Sequence, residues 1–284
     1  MKHLNQFITE YIIKKKLDKP IDSEDHYEYY PKSKEELIEN IKKLIKQDIY
    51  DFNCINTSNI TDMSSLFIDI NRNFDVSKWD VSNVKNMSNM FYGCKNFKGK
   101  GLENWNVGNV TDMSHMFYYC ENFDCDLYDW NVSNVKNMEC MFTWCDNFVG
   151  KGLENWDISN VKDITSMFAN CGNFKGKGLE NWDVSNVTNM QGIFFQCINF
   201  NCDLSNWDVS NVENMNYMFQ YCKNFNCDLS NWDVSKVKRM ILMFQDCEKF
   251  EGKGLENWDV SKVINMRDIF DGCTLLKNKP SWYK

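Results

Sequence analysis

NWDVSNVENMNYMFQYCKNFNCDLSNWDVS, residues 206–235, is the clearest copy of a block of about 25 residues that recurs along the chain. A degenerate copy occupies residues 55–79, and the later copies are separated by 26, 25, 26, 26, 25, 25 and 26 residues. Their anchoring tryptophans are Trp79, Trp105, Trp130, Trp156, Trp182, Trp207, Trp232 and Trp258. Self-similarity at such a period predicts a solenoid in which each coil buries its apolar face against the next.

Each repeat contains one predicted strand and one predicted helical turn. The Trp-Asp-Val segment, residues 207–209, alternates apolar and polar side chains, which is typical of a short strand. Residues 215–222 carry apolar side chains at helical spacing. The chain returns through GKGLEN (99–104) in the longer repeats and CDLSN (202–206) in the shorter ones. We therefore expect an α/β repeat fold of about nine right-handed coils, with one parallel strand and one helical turn per coil.

The first 50 residues differ from the repeats. Residues 4–16 have apolar side chains at helical spacing, and residues 18–31 form a polar linker. A Ser-Lys-Glu-Glu sequence at 33–36 predicts a capping box that opens a second helix. We expect residues 1–50 to be a helical N-terminal cap, 51–273 the solenoid and 274–284 a C-terminal cap; the first helix is alternatively a separate docking element.

The charge and the apolar content of the sequence exclude several classes of function. A net charge of −8 argues against nucleic acid as a partner, because nucleic-acid binding relies on clustered Lys and Arg. No apolar run is long enough for a signal peptide or a membrane span, so membrane insertion is not expected. A cytoplasmic protein is the expectation, with the cell surface, reached by non-standard export, as the alternative.

Thirteen cysteines are the residues that most suggest chemistry. Eight lie fifteen residues after a tryptophan and three lie twenty after, so they should align from coil to coil. We expect buried structural thiols, with disulfides and a metal site as alternatives. A metal site usually has CxxC pairs or Cys with His, and neither pattern occurs in the sequence. No metal, cofactor or catalytic residue is therefore predicted.

Two surfaces are candidates for binding a protein partner. The outward position of the predicted strand forms an acidic strip, and its alternative role is to bond the neighbouring backbone. The variable positions near the helical turn form an aromatic band, and its alternative is burial between turns. The candidate residues are Tyr118, Tyr119, Trp144, Phe195, Tyr217, Tyr221, Asp157, Asp183, Asp208 and Asp233.

The pattern WDVSNVENM…MF…C…NF, residues 207–225, resembles the BspA-like leucine-rich repeat family, which is also described from mycoplasma surface proteins. The resemblance extends from Asp51 onward. It implies a leucine-rich-repeat-like solenoid. Members of that family are often bacterial surface proteins implicated in adhesion, and similar repeats occur in gut bacteria, their phages and large viruses.

The predicted function is that of a non-enzymatic protein–protein interaction module. It includes the case of a phage, viral or bacterial factor that acts on a host protein. The alternative, implied by the resemblance, is a cell-surface adhesin of the BspA type. An enzyme is not expected, because no acid/base or nucleophile constellation interrupts the repeats.

Overall fold

The computed structural model describes residues 27–283. Within that range it has one α-helix, α1 (Lys34–Ile45), and isolated parallel β-bridges in place of longer strands. It also has four short 3-10 helices: Leu102–Asn104, Leu153–Asn155, Leu179–Asn181 and Leu255–Asn257. The helix predicted at residues 4–16 lies outside the described residues.

Helix α1 begins at the predicted N-cap, Ser33, but the Glu36 carboxylate bonds the residue before the cap instead of the N–H of Ser33. The Ser33 side chain accepts a hydrogen bond from the Glu36 N–H at 3.3 Å, and the Glu36 carboxylate accepts one from the Lys32 N–H at 2.7 Å. The apolar stripe of α1 is buried in the same core as the first repeats. Lys34 Nζ lies 3.3 Å from Asp62 Oδ2, which ties the helix to the residue that forms the Asp62–Asn86 bridge.

Successive repeats are joined by a regular set of parallel hydrogen bonds. In one pair the N–H groups of residues 87, 89, 91 and 93 donate to the carbonyls of residues 112, 114, 116 and 118 at 2.8–2.9 Å. Eight parallel bridges of this kind run from Asp62–Asn86 to Arg239–Asn265. Each repeat is therefore held in register with the next by backbone bonds between equivalent residues.

The bonded segment, residues 87–94 in this pair, lies where the helical turn was predicted, but it is not helical, and it is not the predicted strand. Met90, Tyr92 and Cys94 donate their N–H groups three residues back, which makes consecutive tight turns, and the intervening N–H groups bond the next repeat. Within residues 27–283 the Trp-x-Val segments carry no bridge. The spacing i, i+3, i+4, i+7 predicted a helix. The consecutive turns, which we call the turn ribbon, bury the same positions, because pairs of residues point alternately into the core and toward the surface.

Two positions of the turn ribbon have left-handed backbone in each repeat. Asn89 (φ 56°) and Gly93 (φ 72°) hold them in one repeat, and His115 (φ 56°) and Tyr119 (φ 63°) hold them in the next. Glycine and, less readily, Asn or Asp adopt this conformation at low cost. The fold therefore places a backbone demand on two surface positions per repeat.

The core is a set of aligned aromatic stacks. One phenylalanine per repeat stacks on its equivalent with ring centroids 5.4–6.0 Å apart. Trp130 and Trp156 are parallel within 1° at 6.3 Å. Each of these rings is buried, and the phenylalanines of the inner repeats contact their equivalents in both neighbouring repeats. The apolar surface of one repeat is thus buried by the next one.

All thirteen cysteines lie in the described range, and each is a free thiol. Eight thiols donate to the carbonyl of a phenylalanine in the preceding repeat at 2.8–3.0 Å; Cys145, for example, bonds Phe117 O. A free thiol is compact and apolar enough for the core, yet it supplies a donor to a buried carbonyl. This geometry gives these cysteines a structural role.

The last repeat is less covered than the others. Val260, Val263 and Met266 are half-buried, whereas their equivalents in earlier repeats are buried, and Ile264 is 81% exposed. Trp282 stacks on Trp258 at 6.2 Å and donates its indole N–H to Leu255 O at 2.7 Å. Residues 274–283 thus cover part of the final apolar layer.

The GKGLEN return depends on two glycines with left-handed backbone. Gly152 has φ 87°, and a Cβ there would lie 2.1 Å from the Tyr128 amide nitrogen. Gly150 has φ 83°, and a Cβ there would meet the Phe174 ring at 2.5 Å. The additional residue of the longer repeats therefore requires a specific backbone path followed by a 3-10 turn.

Replacing Gly152 by Ala is expected to lower the free energy of unfolding by more than about 2 kcal/mol, because strain and a backbone clash act together. Gly172 is the matched control: a Cβ there meets nothing within 4 Å. Gly172→Ala should be neutral or stabilising, by up to about 1 kcal/mol. Urea denaturation compares the two variants. Equal stabilities would contradict the proposed role of Gly152.

Candidate interaction face

The outward side chains of the turn ribbon form one continuous surface, which we call the ladder face. Each repeat contributes four positions to it, represented by Ser88, Asn89, Tyr92 and Gly93. The side chains between these positions, such as Met90, are buried. Composition varies from repeat to repeat on the ladder face, while the buried positions stay apolar.

The N-terminal half of the ladder face carries a group of aromatic rings, the aromatic cluster. The rings of Tyr92 and Tyr118 stack with their centroids 4.8 Å apart and 7° between their planes. Tyr118 contacts His115 at 5.8 Å and Tyr119 at 6.4 Å. Tyr119 meets Trp144 edge to face at 5.7 Å. The aromatic cluster spans three repeats, and Trp144, 38% exposed, is its most open member among those named.

An ion pair borders the aromatic cluster. Lys95 Nζ lies 2.9 Å from a Glu121 carboxylate oxygen and 4.2 Å from the centre of the Tyr119 ring. The bond to Glu121 raises the pKa of Lys95, so the ammonium stays charged over the ring. Desolvation raises the pKa of Tyr118, which keeps its hydroxyl neutral. The cluster therefore presents apolar rings with charged groups at one border.

The aromatic band is interrupted, in contrast to the continuous band that the sequence predicted. The repeat after Trp144 presents Ala169 and Asn170, which are small and buried. Beyond them Phe195 and Tyr221 meet edge to face at 6.1 Å. Because the side chains of Ala169 and Asn170 are small, the ladder face has two separate aromatic groups with a shallow depression between them.

The predicted aromatic residues are therefore on one face but not in one group. Tyr118, Tyr119 and Trp144 lie in the aromatic cluster, and Phe195 and Tyr221 form the second pair. All except Trp144 are half-buried. Tyr217 is also half-buried on this face and lies in the same repeat as Tyr221.

The acidic residues Asp157, Asp183, Asp208 and Asp233 are exposed, and each has a local structural role. Their carboxylates accept the N–H of the serine two residues later at 2.9–3.0 Å, which forms Asx turns. This bonding lowers the pKa of Asp157 and of Asp233. The alternative role considered for the strip, bonding to the backbone, is present in the structure.

The structure also joins residues that sequence reasoning kept apart. His115 and Cys140 occupy the same position of neighbouring repeats, and Glu139 lies beside them. Metal-binding motifs are usually recognised from Cys and His residues that are close in the sequence, and these two are not. The available signal was their separation of one repeat period, 25 residues. A repeat protein converts that separation into spatial proximity.

No helix among residues 27–283 is both long and apolar enough to cross a membrane.

Comparison with known protein families identifies the repeats. The family described as "Mycoplasma protein of unknown function, DUF285" matches residues 33–148, 61–178 and 163–283. Neither the curated proteins nor the solved structures contain a match. The three overlapping matches confirm the repeat organisation that the tryptophan spacing predicts. Together they cover residues 33–283, and the chain belongs to this DUF285 family of Mycoplasma-type repeat proteins.

Proposed function

We propose that the chain is a non-enzymatic protein-interaction module that binds a protein partner through the ladder face. The observation that carries this proposal is the choice of residue at the left-handed positions. Tyr119, Trp144 and Tyr221 all have φ 63°, where glycine or asparagine would fit with less strain. Trp144 is exposed and Tyr119 and Tyr221 are half-buried, so burial in the core does not explain these large side chains.

Energetics supports the same interpretation. A left-handed residue other than glycine costs roughly 1–2 kcal/mol, and the side-chain contacts of Tyr119 return about 0.5–1 kcal/mol. Equivalent positions in other repeats carry Gly93 and Asn170, so the fold accepts small residues there. Tyrosine and tryptophan at an open position are the residues that most often dominate protein–protein contacts.

The test uses glycine rather than alanine, because glycine removes the ring and leaves the backbone unstrained. The full chain and a Tyr119→Gly/Trp144→Gly variant are immobilised, and proteins retained from the source organism's lysate are compared by quantitative mass spectrometry. The control is Tyr128→Ser: Tyr128 is exposed outside the ladder face, and Ser205 and Ser230 occupy its position in other repeats. Binding should be lost only in the double variant.

Each of the two glycine substitutions is expected to change the free energy of unfolding by no more than about 1 kcal/mol, since relief of strain offsets lost contacts. Chemical denaturation checks this expectation. A loss above about 3 kcal/mol would assign the rings to the core. Retention of the same proteins by the double variant would refute the ladder face as the binding surface.

We further propose that the stack is a right-handed, leucine-rich-repeat-like solenoid of BspA type. The parallel bonding of equivalent residues and the match to a Mycoplasma family support this finer assignment. An adhesin role requires the chain to be on the cell surface. Protease treatment of intact cells distinguishes the two functions: cleavage favours the adhesin, and protection favours an interaction module inside the cell.

A further inference from the structure

Three potential metal ligands of different chemistry meet on the ladder face. The ligand atoms of His115, Glu139 and Cys140 all lie within 4.8 Å of one another. They supply an imidazole nitrogen, a carboxylate oxygen and a sulfur. We infer that these three side chains form a zinc site that bridges two neighbouring repeats. This inference is independent of the proposed partner binding.

The backbone holds the ligands in a fixed relation. The His115 N–H donates to Glu139 O at 2.8 Å, and the Cys140 N–H donates to Thr165 O at 2.8 Å. His115 and Cys140 have nearly the same left-handed backbone, with φ 56° and 54°. The two side chains therefore extend from equivalent backbone positions of neighbouring repeats. A site supported by hydrogen-bonded backbone on both sides is pre-organised for a metal.

The distances fit zinc after small side-chain rotations. Zinc binds nitrogen and oxygen at about 2.0–2.2 Å and sulfur at about 2.3 Å, so its tetrahedral ligands lie roughly 3–4 Å apart. The present upper limit of 4.8 Å exceeds this spacing by about 1 Å. A difference of about 1 Å is within the reach of rotation about the side-chain bonds of His115 and Glu139, which leaves the backbone in place.

The donor set selects the type of ion. Thiolate and imidazole ligands suit zinc, whereas Mg²⁺ and Ca²⁺ prefer oxygen alone. Three protein ligands leave the fourth tetrahedral position for water or an external ligand. His115, Glu139 and Cys140 are all half-buried, so solvent reaches this position. The His115 ring also packs 5.8 Å from Tyr118, which places the ion beside the aromatic cluster.

The other repeats supply substitutions that the fold already accepts at these positions. Asn89 and Ser166 are the equivalents of His115 and Cys140, and Gln191 is an equivalent of Glu139. The test variants are therefore His115→Asn, Cys140→Ser and Glu139→Gln. Cys54→Ser is the matched control, because Cys54 is another half-buried free thiol outside the group.

The full chain, reduced with a phosphine, is titrated with zinc in competition with a chromogenic chelator. We expect one zinc ion per chain, and each ligand variant should lower the affinity by at least about 100-fold. Cobalt(II) should give a thiolate-to-metal charge-transfer band in the full chain and in Cys54→Ser, but none in Cys140→Ser. Magnesium should not compete.

Two results would overturn the assignment. One is the absence of zinc binding at micromolar concentration in the folded, reduced chain. The other is binding of undiminished affinity in Cys140→Ser and His115→Asn, which would put the ion elsewhere. Thermal melts of all variants verify that they are folded, and the cobalt spectrum of the full chain tests the thiolate ligand without any substitution.

Discussion

Raising the pH from 8 to 10 is expected to remove on the order of 10 kcal/mol from the free energy of unfolding. The cause is a set of ten buried thiols, for which desolvation is the largest effect on the pKa and raises it from the ordinary value of 9.0. These thiols are Cys94, Cys120, Cys125, Cys145, Cys171, Cys197, Cys202, Cys222, Cys227 and Cys247.

The direction of this pH effect follows from the protonation of the thiols in the folded and unfolded chains. Burial raises the pKa of Cys197 to about 12 and that of Cys227 to about 11, so both stay protonated at pH 10 in the folded chain. In the unfolded chain the same thiols ionise near pH 9. Stability is therefore fully present below pH 9 and falls as the pH rises from 9 toward 12.

The size of the loss comes from the number of thiols. One pH unit above the ordinary pKa, each thiol that ionises only on unfolding favours the unfolded state by about 1.4 kcal/mol. Ten such thiols together approach the whole stability of a typical domain, about 5–15 kcal/mol. The stack should therefore unfold cooperatively close to pH 10.

Urea denaturation at pH 8, 9 and 10 under reducing conditions, followed by tryptophan fluorescence, measures this loss. Cys145→Ala is the matched variant, because Cys145 is buried and donates to Phe117 O. It should be less stable at pH 8, yet release about one proton fewer on unfolding at pH 10. A free energy of unfolding that stays within about 2 kcal/mol between pH 8 and 10 would contradict the prediction.

The repeat period and the buried positions could be predicted from the sequence, because both depend on which residues are apolar. The anchoring tryptophans are buried as their spacing indicates, and so are the inward valines and the stacked phenylalanines of the repeats before the last. The start of α1 could also be predicted, because Ser33 and Glu36 form a local cap with its own bonding pattern. These features depend on side chains close together in the sequence.

The path of the backbone could not be predicted in the same way. The spacing of Met87, Met90, Phe91 and Cys94 fits a helix, but the N–H groups of Met87 and Phe91 bond the next repeat. The hydropathy pattern does not indicate whether a backbone N–H bonds within its own repeat or to the next one. The signal that was present is Gly93 and Gly192 within segments of helical spacing, since glycine there indicates left-handed backbone.

The candidate site was predicted in outline only. The aromatic residues were placed on the correct surface of the repeat, but the depression at Ala169 and Asn170 divides them. The group formed by His115 and Cys140 was missed, because it becomes visible only when repeats are aligned one above another. In a stacked repeat protein, residues 25 or 26 positions apart must be considered as neighbours.

Phe142→Ala is expected to lower the free energy of unfolding by about 3–5 kcal/mol, the second largest effect. Phe142 is buried in a central repeat and stacks on Phe117 at 5.6 Å and on Phe168 at 5.7 Å. It also packs 4.3 Å from Phe148 in its own repeat. Its removal leaves a cavity that weakens the contacts with both neighbouring repeats.

The position of the lesion along the stack should determine how the chain unfolds. Phe270→Ala is the matched comparison, because Phe270 is buried in the last repeat and stacks on one equivalent ring only, Phe244 at 5.8 Å. Each repeat bonds its immediate neighbours, so Phe142→Ala uncouples the two halves, whereas Phe270→Ala frays one end. In urea, the central variant should show two transitions or a lower m-value, and the terminal variant should retain its main transition. A single transition with unchanged m-value and equal loss in both variants would mean that the repeats do not unfold as neighbour-coupled units.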